Sequence, residues 1–252
     1  MFYRMTGQDI RDIIHSLYYA LCKIFEKNQD AEIHLIGFSR GAFTVRCLAC
    51  LIEDIGLIRS FYLEKIYDDV YEFWESGNKT SMQNWIDDGR EYSAIHPVKI
   101  VSCGVWDTVS ALRLPSTLSF VNDRVPSNLD FAFQALALHE QRQRYEPVLW
   151  NQEQDRYTCI RQCWFAGDHS DIGGGWPDGG LANLTLIWML ARYQERFPGI
   201  FIDCEALYRL CCPPGIDWPC LSHTLSQGMC HEAVRKTGDK VLTLIYRQCK
   251  PL

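Results

Sequence analysis

No stretch of this sequence approaches the roughly 18 uncharged apolar residues that a membrane-spanning helix needs. The opening residues, MFYRMTGQDI, lack the apolar core of a secretory signal. Basic charge is scarce as well. With 25 Lys and Arg against 31 Asp and Glu, the formal charge is −6 and the pI about 5.6. That removes the electrostatic footprint of a nucleic-acid-binding chain, so no nucleic-acid partner is expected. No repeat period or low-complexity tract is present. What remains is a cytoplasmic globular protein whose 252 residues can bury a substantial core, with 47% apolar and 22% charged residues near globular averages.

Cysteine is plentiful, at 12 residues, but a long chain without an export signal points to reduced thiols rather than a disulfide framework. Cys47 and Cys50 have C-x-x-C spacing inside a predicted helix, where two small buried side chains are the expected reading. A redox pair would sit at a helix start. In the tail, Cys204, Cys211, Cys212, Cys220, His223, Cys230 and His231 cluster without forming two clean ligand pairs, so no metal site is expected.

The periodicity alternates. Ile10, Ile13, Ile14, Leu17, Leu21, Ile24 and Phe25 predict an amphipathic helix, and Asn28-Gln29-Asp30 ends it. Glu32–Ile36 reads as a buried strand. Val45, Leu48, Ala49, Ile52 and Ile55 then form a helical face that stops at Gly56. Residues 60–95 read as helices and a loop inserted beside the site, and Val98–Cys103 as a second strand. Pro115–Ser127 reads as a loop, Asn128–Glu140 as a helix carrying Leu129, Phe133, Leu136 and Ala137, and Thr158–Ala166 as a third strand. Leu181, Leu184, Ile187, Leu190 and Ala191 mark a helix ending near Pro198. Strands alternating with helices imply α/β: a mainly parallel sheet covered on both faces. Residues 1–200 are expected to form this domain, and 201–252 a cysteine-rich extension packed on it.

Gly37-Phe38-Ser39-Arg40-Gly41 fits G-x-S-x-G between the first strand and its helix, the context of a nucleophile elbow. Gly37 and Gly41 are expected to let the chain turn tightly around a strained Ser39. A serine needs a base, and the base a carboxylate, in the order Ser, acid, His on loops after strands. His15 and His34 precede Ser39. His96 stands at the wrong end of a strand, His139 closes a predicted helix, and His223 and His231 lie in the tail. His169 alone follows an apolar strand, entering the glycine loop Gly167–Gly175. Asp107 follows VKIVSCGVW at a strand's carboxyl end, where sites of open sheets collect. Asp168 and Asp171 compete as neighbours of His169, Asp171 being better suited to holding the loop. The Arg40 amide is the expected oxyanion donor.

LIGFSRGAFTVR, GVWDTVSAL, ALALHEQRQRYEPVLW and WFAGDHSDIGGGW together resemble the alpha/beta-hydrolase domain shared with phospholipase effectors of bacterial type VI secretion and common in fungal proteins. The resemblance spans about residues 31–190. It implies a Ser-Asp-His esterase on Ser39, Asp107 and His169 without a cofactor. The implied substrate is a lipid or small ester, reached through peripheral membrane contact. Three departures stand out: His139 occupies a position where the family commonly has aspartate, Asp168 one commonly apolar or small, and no Asp-Gly-Thr loop precedes the elbow. The chain opens in a helix, so the first strand and the loop that donates a second oxyanion amide are expected to be missing. Weak turnover, or a hydrolase fold serving as an interaction module, is the alternative. A zinc-stabilised regulatory protein is the other rival. Metal analysis of the dialysed protein should find no stoichiometric zinc; zinc retained by the full chain and lost in Cys220→Ser would overturn the reading of the tail.

Overall fold

A computed structural model of the protein describes residues 7–77, 84, 86–87, 94–109, 116–151 and 157–211. In chain order the elements are α1 (Gly7–Lys27), β1 (His34–Phe38), α2 (Arg40–Ile55), β2 (Leu57–Ile58), α3 (Ser60–Glu75), β3 (Ile95–His96), β4 (Ile100–Trp106), β5 (Leu129–Ala137), β6 (Cys159–Phe165), α4 (His169–Gly173), α5 (Gly180–Arg196) and α6 (Cys204–Cys211). Short 3-10 turns lie at Ser116–Val121 and Gln143–Tyr145. Among the described residues, β1, β4, β5 and β6 pair in that order, all parallel, and β2 and β3 form a small antiparallel ribbon. This is the α/β architecture that the alternating periods imply.

Helix α2 lies against β1 and β4 with α1 outside it. It is buried nearly all round, from Ala42 to Ile52 and again at Ile55, so the single apolar face expected of it understates its burial. Its C-terminal Gly56 has φ 86°, a conformation that glycine adopts without a Cβ penalty. On the opposite face, Met189 and Tyr193 of α5 pack on Phe133. Gly104 makes that approach feasible, since a Cβ there would stand 2.9 Å from the Tyr193 hydroxyl.

Two sequence expectations change. Residues 128–140 are not a helix: Leu129–Ala137 is β5, an inner strand of the sheet. A strand covered on both faces loses the polar-apolar alternation of a half-exposed one. LDFAFQALA therefore shows a spurious helical spacing. In α1 the buried row is Ile10, Ile14, Tyr18 and Cys22, all at 2% exposure or less, whereas Ile13, Leu17 and Ile24 are 37, 37 and 55% exposed. Tyr18 can face inward because its hydroxyl donates to the Gly56 carbonyl at 2.8 Å and accepts the Ile58 N–H. Tail residues Cys212, Cys220, His223, Cys230 and His231 lie outside the described residues, while α6 rests against α5 with Cys204 exposed and unpaired.

Three polar side chains inside this core bond to main chain. Arg46, 1% exposed, donates to the carbonyls of Val148 at 2.7 Å, Leu149 at 3.4 Å and Asn122, and its guanidinium lies 4.5 Å from the Trp150 ring centre. Burial pushes its pKa down to about 10. Gln134 also donates to the Val148 carbonyl, and Gln162 exchanges bonds with the N–H and carbonyl of Trp150. These side chains pin residues 148–150 over the sheet. Arg46→Met should lower the unfolding free energy by about 3–5 kcal/mol, because buried carbonyls lose their donors. Urea unfolding checks this; a loss below about 1 kcal/mol would mean the carbonyls find other partners.

Candidate active site

Strands β1 and β4 end at the same level, Phe38 opposite Trp106, and Trp106 opposite Ala135 of β5. Ser39 and Asp107 are therefore the first residues beyond the sheet on neighbouring strands. Both leave it with positive φ, 60° and 42°, the only non-glycine residues to do so among those described. Such conformations carry strain and collect at functional sites. They are held by the Ser39 N–H donating to the Trp106 carbonyl at 3.0 Å and the Asp107 N–H to the Ala135 carbonyl at 2.7 Å.

The Ser39 side chain does not cap α2. It reaches His169 instead, Oγ to Nε2 at 2.7 Å, and His169 Nδ1 lies 2.7 Å from Asp107 Oδ2. An Nδ1–H donating to the carboxylate leaves Nε2 as acceptor for the serine hydroxyl. Asp107 is fully buried and its Oδ1 accepts the Ala137 N–H at 2.8 Å. Burial pushes its pKa up, against the opposing pull of His169 and that amide. The sign follows: a raised folded-state pKa favours folding fully below the unfolded value near 3.8, and that contribution is lost as pH rises through the raised one.

His169 stands not in an open loop but at the start of α4. Asp168 caps this turn, its Oδ1 accepting the N–H groups of Ser170 and Asp171, while Asp171 Oδ2 accepts the Asp168 N–H at 2.9 Å. The signal was present as Asp168-x-x-Asp171, a capping box written with acids. Gly167, at φ 111°, turns the chain into it, and a Cβ there would stand 2.4 Å from that of Asp171. His139, expected to close a helix, follows β5 at the same end of the sheet as Ser39. Its Nδ1 accepts the Gly167 N–H at 3.0 Å rather than approaching the serine.

Sequence reasoning passed over Phe38 and Tyr145. The Phe38 ring lies 4.7 Å from that of His169 and tilts 30° from it, and Tyr145 presents its ring at 4.9 Å. Gly173 makes room for Phe38, since a Cβ there would fall 2.1 Å from the ring. No helix among the described residues is long and apolar enough to cross a membrane, and no group of His, Cys, Asp and Glu among them could hold a metal.

With that geometry in view, residues 1–192 match the family described as "T6SS, Phospholipase effector Tle1-like, catalytic domain". "Uncharacterized protein YEL023C" of Saccharomyces cerevisiae is 29% identical over 142 residues, covering 54% of this chain and 20% of the yeast protein. A solved chain titled "Structure of the Tle1 effector bound to the VgrG spike from the Type 6 secretion system" is 19% identical with a TM-score of 0.33, covering 68% of this chain and 31% of that one. This chain thus spans a fifth to a third of the length of these two proteins.

The two elbow glycines differ. A Cβ on Gly37 would stand 2.6 Å from the Gly41 carbonyl oxygen and 2.8 Å from Ala42 backbone, whereas one on Gly41 meets nothing within 4 Å. The expectation that both serve tight packing therefore applies to Gly37 alone. Gly37→Ala should destabilise the fold by several kcal/mol, on the scale of overpacking a core, and Gly41→Ala by less than about 1. Thermal unfolding of the two variants checks the asymmetry.

Proposed function

The chain belongs to the family of Tle1-like phospholipase catalytic domains of type VI secretion effectors, and from that premise we propose that it is a serine hydrolase cleaving carboxylic esters, with lipid acyl esters as the substrate class. The observation that carries the reading is the continuous hydrogen-bonded chain Ser39–His169–Asp107, with both distances at 2.7 Å.

In the proposed mechanism His169 Nε2 takes the hydroxyl proton as Ser39 Oγ attacks the ester carbonyl. Asp107 holds the tautomer that makes this feasible and stabilises the imidazolium that forms. Collapse of the tetrahedral intermediate passes the proton from Nε2 to the leaving alcohol. Water, deprotonated by the same nitrogen, then attacks the acyl-enzyme carbonyl; collapse returns the proton to Ser39 Oγ and releases the carboxylate. The oxyanion forms at the N-terminus of α2, where the Arg40 amide and the positive end of a 16-residue helix favour negative charge. Asp171 acts behind the site by fastening the turn that carries His169. No cofactor has a step to perform.

Support for an acyl chain comes from the aromatic surroundings of the imidazole: Phe38 and Tyr145 against its ring, and the 37%-exposed Trp176 donating to Asp168. Support for a reducing, cytoplasmic setting comes from Cys22, Cys47, Cys50 and Cys103, buried as free thiols. Burial pushes the thiols of Cys22, Cys50 and Cys103 up to about 12, away from redox chemistry.

The test is active-site labelling with a fluorophosphonate, together with hydrolysis of a short activated ester. Both should be present in the native chain and abolished in Ser39→Ala. Asp107→Asn should keep the fold, since it removes a buried charge, yet lose about 10⁴ in kcat through the wrong imidazole tautomer. A folded native chain whose Ser39 does not react would sink the hydrolase reading and favour an interaction module on the same fold.

A further inference from the structure

One segment of the sequence, HEQRQRY at 139–145, takes no part in the mechanism above, yet it surrounds the residue on which that mechanism turns. It leaves β5 beside the loop that carries His169 and bonds to it repeatedly. The His139 N–H donates to the Gly167 carbonyl at 3.0 Å, the Gly167 N–H returns to His139 Nδ1, and the His169 N–H donates to Glu140 Oε2 at 3.3 Å. Glu140 is itself almost wholly buried, its side chain 1% exposed. Arg142 forks onto both its oxygens, Nε to Oε1 at 2.9 Å and Nη2 to Oε2 at 2.7 Å, and also donates its own main-chain N–H to Oε1. The Arg142 guanidinium lies 3.8 Å from the centre of the Tyr145 ring, and that ring meets the imidazole of His169.

We propose that Glu140 and Arg142 are positioning residues: Glu140 holds the backbone of His169, and Arg142, through Tyr145, holds its ring against Phe38. This inference rests on reading His169 as the general base. A fixed Nδ1 on Asp107 leaves the imidazole free to swing about that bond, and Nε2 meets Ser39 over only a narrow part of the swing. Two rings packed on it restrict it: Phe38 leans on the imidazole at 30° and Tyr145 meets it at 60°. The pair is also an electrostatic necessity. A buried carboxylate so close to Asp107 adds a second negative charge that pushes the Asp107 pKa further up. Burial alone would raise Glu140 too, but the bonds from Arg142 outweigh it and hold that carboxyl below its ordinary value. The fork therefore keeps Glu140 ionised, and able to accept from His169, at little net charge.

The test uses the full chain and two independent readouts. In kinetics on a short activated ester, Arg142→Gln should lower kcat by about 10²-fold with little change in KM, as a misplaced catalytic group does. Arg142→Lys should recover only part of this, since an ammonium keeps the charge but not the fork. Tyr145→Leu should lower kcat without altering charge. The second readout is the downfield imidazole proton of His169 in its bond to Asp107, followed by NMR in Ser39→Ala protein. It should be sharp there, and exchange-broadened or lost when Arg142→Gln or Glu140→Gln is added. A merely structural role would lower the urea midpoint while leaving this proton intact in the folded protein. If Arg142→Gln and Tyr145→Leu both keep kcat within about twofold, or if the proton stays sharp in the folded variants, the clamp is wrong. If the native chain shows no Ser39-dependent turnover, the hydrolase reading fails instead. The proton then still decides whether Glu140 and Arg142 hold the imidazole.

Discussion

A carboxylate with no exposure to water is the constraint on which the site depends. Asp107 sits where β4 leaves the sheet, under Ala137 and beside His169. An ionised group there is tolerated only if its lone pairs are met, and each group that meets them has its own place in the fold. The Ala137 amide requires β5 to lie beside β4 in the observed register. The imidazole requires β6 to carry the chain to Gly167 and α4 to turn it back. Positive φ at Asp107 aims the carboxylate between the two.

The same logic appears at lower stakes on the other side of the sheet. Arg46 is buried with its terminal nitrogens donating to main-chain carbonyls, so its charge is spread over peptide dipoles and the face of Trp150. Gln134 and Gln162 complete this arrangement. The segment that follows Tyr145 is thus anchored by α2, the helix that begins at Ser39. The two ends of the proposed site therefore share a rigid support, which suits a reaction that tolerates little misplacement.

Much of the site was legible because its residues obey local rules. A serine between glycines at a strand-to-helix junction, an aspartate ending a strand and a histidine after another strand are each recognisable in short windows. Their order in the chain narrows the partners further. The roles proposed for Phe38, Glu140, Arg142 and Tyr145 were not legible. Phe38, Glu140 and Tyr145 each meet His169 far along the chain, which no local window shows. Arg142 meets its carboxylate two residues away, but that bond matters only because Glu140 also reaches His169, 29 residues further on.

By itself the sequence determined the α/β alternation, the strand-to-helix junction at Ser39 and the short list of candidate partners for that serine, because periodicity, turn chemistry and chain order are local or one-dimensional properties. Tertiary structure decided what such properties leave degenerate. It made residues 129–137 a strand, since burial on both faces erased the alternating signature. It turned α1 so that Tyr18 and Cys22 face inward, where the Tyr18 hydroxyl meets the Gly56 carbonyl and the Ile58 N–H. And it brought the 139–145 segment against His169, since parallel pairing of β5 with β6 sets their carboxyl ends side by side whatever separates them in the chain.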